Sequence, residues 1–206
     1  NYPIYGLPSS LLNSFTSNIM IILTLFVYGG YYAGIYGFIT RMTSAPLQLI
    51  SKSYNNALFK LAHEKNTKNF KKIYTLTSGF IVGLFAIIIS IYSIIDINIF
   101  HIIIGEKWKG VDEVFLPLLI LTGFQYSIIP VTELLTILNK QKLRLFWDFI
   151  KIVLTISLFI YTFNNEITFN NFIVIFSVMS AILYLVLHLI VINTLRNADI
   201  KASKEL

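Results

Sequence analysis

Five polar residues at helical spacing define the chemistry this sequence offers. At about 100° per residue, Arg41, Ser44, Gln48, Lys52 and Asn55 fall within roughly 60° of Arg41, as one stripe on one helix. Met42, Leu49, Ile50 and Ala57 cover much of the remaining circumference. An ionisable group at mid-helix in a bilayer costs about 2.5 to 3.5 kcal/mol on insertion scales, so it normally faces a cavity or a partner. The stripe therefore reads as a wet, basic lining for an anionic substrate. The plainer reading has Arg41 and Lys52 reaching toward opposite interfaces. It explains the two charges but not why Gln48 and Asn55 share their face.

Lys140, Arg144, Asp148 and Lys151 repeat the helical spacing further along the chain. They read most simply as a helix end solvated at an interface, with Arg144 and Asp148 paired at i, i+4. The alternative is an electrostatic vestibule for phosphate-bearing lipid headgroups. Milder stripes follow on other segments: Asn13, Ser17 and Thr24; Thr122, Gln125, Thr132 and Thr136; Ser177, Ser180, Tyr184 and His188. Singly, such residues mediate helix packing in lipid. Together they suggest a bundle around a hydrated space. Glu133 and His188 lie deep in otherwise apolar segments and are candidates for proton coupling, although a buried His bonded to a neighbouring carbonyl is the commoner situation.

Enzyme chemistry finds little to work with. The chain has no Cys, which removes thiolate catalysis, thiolate metal sites and disulfides. His63, His101 and His188 stand at no metal-ligand spacing such as HExxH, and Gly-rich phosphate loops and a GxSxG elbow are missing. Asp96 and His101 form the nearest approach to an acid/base pair. The expectation is a non-enzyme with no catalytic residue, no metal and no cofactor.

The elements that must carry these residues are apolar helices. Of 206 residues, 56% are apolar and only 13% charged, roughly half the charge of an ordinary soluble chain. Aromatics reach 15%, with 17 Phe and 12 Tyr, as in proteins whose Tyr side chains lie at headgroup level. About 20 helical residues span about 30 Å of hydrocarbon. By that measure the chain divides into spans over 4–28, 34–61, 73–95, 114–138, 143–163 and 168–195, the first pair separated at Gly29, Gly30 and Gly34. Pro46, Pro117 and Pro130 sit inside two of these spans, where they break backbone hydrogen bonds and kink the helix. Residues 196–206 form a short cytoplasmic tail.

Positive charge sorts by side under this division. Lys60, Lys65, Lys68, Lys71, Lys72, Lys140, Lys142, Arg144, Lys151, Arg196, Lys201 and Lys204 fall on one side, and only Lys107 and Lys109 on the other. Lys and Arg concentrate on the cytoplasmic side, which places both termini there. The net charge of +6 is thus explained by membrane orientation, and no nucleic-acid partner is expected. Asn1 is not an initiator Met and no signal peptide is visible, so the chain reads as a piece of a longer or processed protein. The fold expected is an all-α integral membrane bundle of six transmembrane helices.

The opening YPIYGLPSSLLNSFTSNIMIILTLFVYGGYYAGIYGFITRMTSAPLQLISKSYNNALF resembles the start of the C-terminal half of bacterial polysaccharide flippases. These are the O-antigen and teichuronic-acid exporters of the multidrug/oligosaccharidyl-lipid/polysaccharide superfamily. The downstream IGEKWKG is similar to that family's glycine-tryptophan segment before its tenth helix. The resemblance covers roughly residues 2 to 145. It implies that the six spans are helices seven to twelve of a twelve-helix, two-lobe transporter in the cytoplasmic (inner) membrane, with a missing N-terminal six-helix lobe as partner. It also implies a cargo, undecaprenyl-diphosphate-linked oligosaccharide, carried by alternating access. Arg41 and Lys52 would then neutralise the diphosphate, while Gln48, Asn55, Asn13 and Gln125 bond sugar hydroxyls and the lipid tail stays among membrane lipids. Glu133 and His188 are the candidates for ion coupling. Competing readings are a drug/cation antiporter of the same fold, a membrane polysaccharide polymerase or acyltransferase, and a purely structural membrane subunit.

Overall fold

A computed structural model describes residues 2–63, 70–94, 105, 108, 110–137 and 140–204. Among them the chain is all-helical, with six helices: α1 (Tyr2–Tyr28), α2 (Gly30–His63), α3 (Phe70–Ile94), α4 (Val111–Ile137), α5 (Gln141–Asn164) and α6 (Phe169–Lys204). A single residue separates the first two. Gly29 takes φ +89°, a left-handed conformation that costs a side-chain-bearing residue about 1–2 kcal/mol, and its N–H donates to the Leu25 carbonyl at 3.0 Å. The Gly29 carbonyl then accepts from Ala33 at 3.2 Å, so α2 starts at once. Helix α4 opens with Asp112 and Glu113, carboxylates that suit the positive end of its dipole. Helix α6 continues to Lys204 and takes in most of the segment expected to be a tail.

Helix α4 is the hub, packing on α2, α3 and α6, while α1 lies along α2 and α5. Its sequence suits that place, because Val114, Phe115, Leu118, Leu119, Leu121, Thr122, Tyr126 and Ser127 bury most of its circumference. Two small residues let its neighbours come close. A Cβ on Gly123 would stand 2.9 Å from the Phe85 ring of α3, and one on Gly110 would stand 3.0 Å from Ile35 of α2. The Ser78 hydroxyl donates to the Ser127 carbonyl at 2.8 Å and joins α3 to α4 where both are buried.

At the Gly29 end of the bundle the aromatic rings converge. Tyr28 meets Phe169 and Phe172 at centroid distances of 5.4 Å each, Tyr32 meets Phe169 at 4.6 Å, and Phe159 meets Phe172 at 4.5 Å. Four helix ends, from α1, α2, α5 and α6, are held together by these contacts. Trp108 packs on Phe38 at 4.8 Å at the same end.

The outside of the bundle is apolar and several of its buried residues are polar. Helix α3 buries Tyr74, Ser78, Ile81 and Phe85 along one narrow stripe and exposes Leu76, Phe80, Ile87, Ile91 and Ile94, the last at 84%. Phe26 is 80% exposed on α1, whereas Thr24, two residues earlier, is fully buried. Each large apolar side chain left in water forfeits about 1.5–3 kcal/mol, so this periphery calls for an apolar covering. Two helices, over Tyr74–Ile94 and Phe169–Thr194, are long and apolar enough to cross a membrane, and α1 carries a shorter apolar stretch at Asn18–Tyr28. Helices α2 and α5 differ from that pair because Arg41, Gln48 and Lys52, and Lys142, Arg144, Asp148 and Lys151, interrupt their apolar runs.

Candidate functional site

Polar side chains of the bundle line a partly open cavity of about 300 Å³, to which every helix except α3 contributes. Helix α2 supplies the largest share: Tyr36, Thr40, Arg41, Ser44 and Gln48, at intervals that keep one face toward the space. Pro46 lies among them and cannot donate to the Met42 carbonyl four residues back, so the helix lacks one backbone hydrogen bond at this level. Opposite this helix's own neighbour α4 come Leu121, Thr122, Gln125 and Tyr126. Asn18, Met20 and Ile21 enter from α1, Lys151 from α5, and Phe176, Ser180 and Tyr184 from α6.

Internal hydrogen bonds fix several of these groups. Thr122 donates to the Leu118 carbonyl at 2.7 Å and its hydroxyl lies 3.4 Å from that of Thr43, linking α4 to α2. The Tyr126 hydroxyl donates to the Ser44 carbonyl at 3.4 Å across the same seam. Asn18 donates to the Ser14 carbonyl at 2.9 Å, which holds its amide against α1. Lys151 donates from Nζ to the Tyr184 hydroxyl at 2.9 Å. Among the described residues, the lining has two cations and no carboxylate. Its chemistry is therefore that of an anion host fringed by hydroxyls and amides.

Beside the cavity runs a mainly apolar groove of about 530 Å³, bordered by Ala33, Gly34, Gly37, Phe38, Met42 and Trp108. Arg41 and Ile21 border both spaces. Arg41 thus stands where a polar volume meets an apolar one.

Of the residues expected to bind substrate, the structure brings Arg41, Gln48 and Gln125 together in the cavity. Lys52 is exposed and does not line it, since α2 has carried the stripe past the cavity by that turn. The side chains of Asn13, Asn55 and Glu133 lie outside the described residues. His188 is placed elsewhere: its Nδ1 is hydrogen-bonded to the buried Tyr74 hydroxyl of α3, a phenol in place of the expected carbonyl. The charged stripe on α5 departs from the simple picture of a solvated helix end. Asp148 is buried and Lys151 turns into the cavity, because α1 and α6 pack on that face. Asn18, Tyr36, Thr40 and Tyr126 add polar groups to the lining without having been anticipated. Thr40 had a visible signal, since positions 40, 44 and 48 repeat at intervals of four beside Arg41.

No protein-family model, curated protein or solved structure matches the chain.

Proposed function

We propose that this chain is one six-helix lobe of a bacterial transporter that flips lipid-diphosphate-linked oligosaccharide across the cytoplasmic membrane for cell-surface polysaccharide. The observation that carries the reading is a polar cavity with Arg41 on its edge and, among the described residues, no carboxylate in its lining, in a bundle whose periphery is apolar. A diphosphate and its sugars cannot enter hydrocarbon without losing their hydration, so they need donors that replace water along the way. Arg41 offers a planar fork matched to phosphate oxygens. Gln48, Gln125, Ser44 and Thr40 offer the donors and acceptors that sugar hydroxyls require. The apolar groove that begins at Arg41 gives the lipid chain a place next to its headgroup.

On this reading the apolar periphery faces lipid, all six helices cross the bilayer, and both ends of the segment are cytoplasmic. The helices would correspond to the C-terminal lobe of the polysaccharide flippases that the sequence resembles, with an N-terminal lobe closing the cavity from the other side. A drug/cation antiporter would need carboxylates facing its cargo, and the lining favours anions instead. Among the described residues, an enzymatic polymerase or acyltransferase reading has no comparable constellation in its favour.

The test is Arg41→Ala in a producing cell. Surface polysaccharide is expected to be lost while the protein inserts in normal amount. Normal polymer output from that variant would overturn the reading, and product formation by the purified protein without lipid movement would replace it with an enzyme.

A further inference from the structure

The cavity has a second cationic edge, and it comes from a different helix. Lys151 of α5 is half-buried, its Nζ donates to the Tyr184 hydroxyl at 2.9 Å, and the same Nζ lies 5.4 Å from the centroid of that ring. An ammonium has three donors. Tyr184 takes one, and the phenol, having accepted, keeps its own O–H to give. The pair therefore presents a cation and a hydroxyl donor with the long lysine stem already ordered, a rotamer cost that is otherwise met on binding. Asp148 lies one turn earlier on α5, buried and outside the lining, and its carboxylate also attracts the ammonium and helps to hold it in place.

Arg41 and Lys151 differ in kind. The guanidinium of α2 is a flat fork suited to two oxygens of one phosphate, whereas the ammonium of α5 is a compact charge suited to a single oxygen. Two such cations on the walls of one small space match a ligand with two linked anionic centres better than one with a single centre. At roughly 30 Å³ per water, a cavity of about 300 Å³ displaces on the order of ten waters, enough room for a diphosphate.

We propose that Lys151, positioned by Tyr184, is the second anion ligand of the cavity, so that α2 and α5 hold the two phosphates of a diphosphate between Arg41 and Lys151. This rests on the transporter reading above and adds to it the residue that selects diphosphate over monophosphate. Tyr184 acts through Lys151 and is a positioning residue.

The test uses the full chain in lipid nanodiscs and two probes of one tail length, farnesyl diphosphate and farnesyl monophosphate. The parent protein is expected to prefer the diphosphate. Lys151→Gln weakens diphosphate binding about tenfold, the scale of one charge-assisted hydrogen bond, and leaves the monophosphate nearly unchanged, so the preference collapses. Lys151→Arg retains most of it. Tyr184→Phe keeps ring and charge, weakens the diphosphate by about threefold, and has no further effect once Lys151 is Gln, a coupling that a merely structural role would not produce. Lys72→Gln, an exposed cation on α3 away from the cavity, serves as the control. A Lys151→Gln protein that keeps the parent preference overturns the proposal. If Arg41→Gln weakens both probes while Lys151→Gln weakens neither, this inference falls and the transporter reading stands. If Arg41→Gln also has no effect, both fall. Should Lys151→Gln fail to fold, equal diphosphate affinity in Tyr184→Phe and the parent overturns the proposal.

Discussion

Tyr74 and His188 join α3 to α6 through a buried phenol and an imidazole nitrogen, away from the cavity. Tyr74 is only 1% exposed, so Tyr74→Phe removes a hydrogen bond without opening space. It is expected to cost about 1 kcal/mol, seen as a lower midpoint of thermal unfolding in detergent, with diphosphate binding unchanged. A coupling role for His188 predicts instead a displaced pH profile of transport in the same variant. Arg41 and Lys52, side by side on paper, separate in space. On the transport reading, Lys52→Gln is therefore expected to lower polysaccharide export far less than Arg41→Gln, measured as polymer per cell at equal protein level. Arg41 and Gln48 were legible together because helical periodicity alone decides which residues of one segment share a face, whereas Gln125 was legible only as part of the polar stripe on its own helix. Lys151 was legible as a member of a stripe, but the direction of that stripe is set by α1 and α6, which periodicity within α5 does not contain.

At the scale of elements, the six apolar segments were visible as helices, and the Gly29, Gly30, Gly34 cluster marked the tight connection between the first two. The central place of α4 was hidden. It follows from small residues whose meaning depends on the partner, above all Gly123 against Phe85. Gly123→Ala would set a methyl 2.9 Å from that ring, and such overpacking is expected to destabilise the bundle by about 1–3 kcal/mol. Phe85→Leu in the same chain should recover part of the loss, since the smaller side chain frees the volume that the methyl needs. Thermal unfolding of the two single variants and the double variant measures this directly, and a strictly additive result would place the closest contact of α3 and α4 elsewhere.

For the whole molecule, the arrangement of polar interior and apolar exterior decides what can surround it and what can enter it. The aromatic contacts among α1, α2, α5 and α6 join the helix ends beside Gly29, and the chain's lack of Cys makes that junction open to chemical control. Tyr32 and Phe169 have ring centroids 4.6 Å apart. With Cys placed at both positions, a short thiol-reactive bridge is expected to abolish export on the transport reading, while either single Cys variant treated with the same reagent continues to export. Export that persists through the bridged pair would mean that this end does not open.

Tyr28 follows Ile21 by seven residues on α1, about 10 Å along the axis, and Phe176 of the cavity wall stacks on Phe172 of the aromatic group. Stacking of those two rings thus ties the aromatic group to the cavity wall. Because each ring of the group touches a ring from another helix, a displacement of one helix end is handed to its neighbours and, through Phe176, to the polar lining.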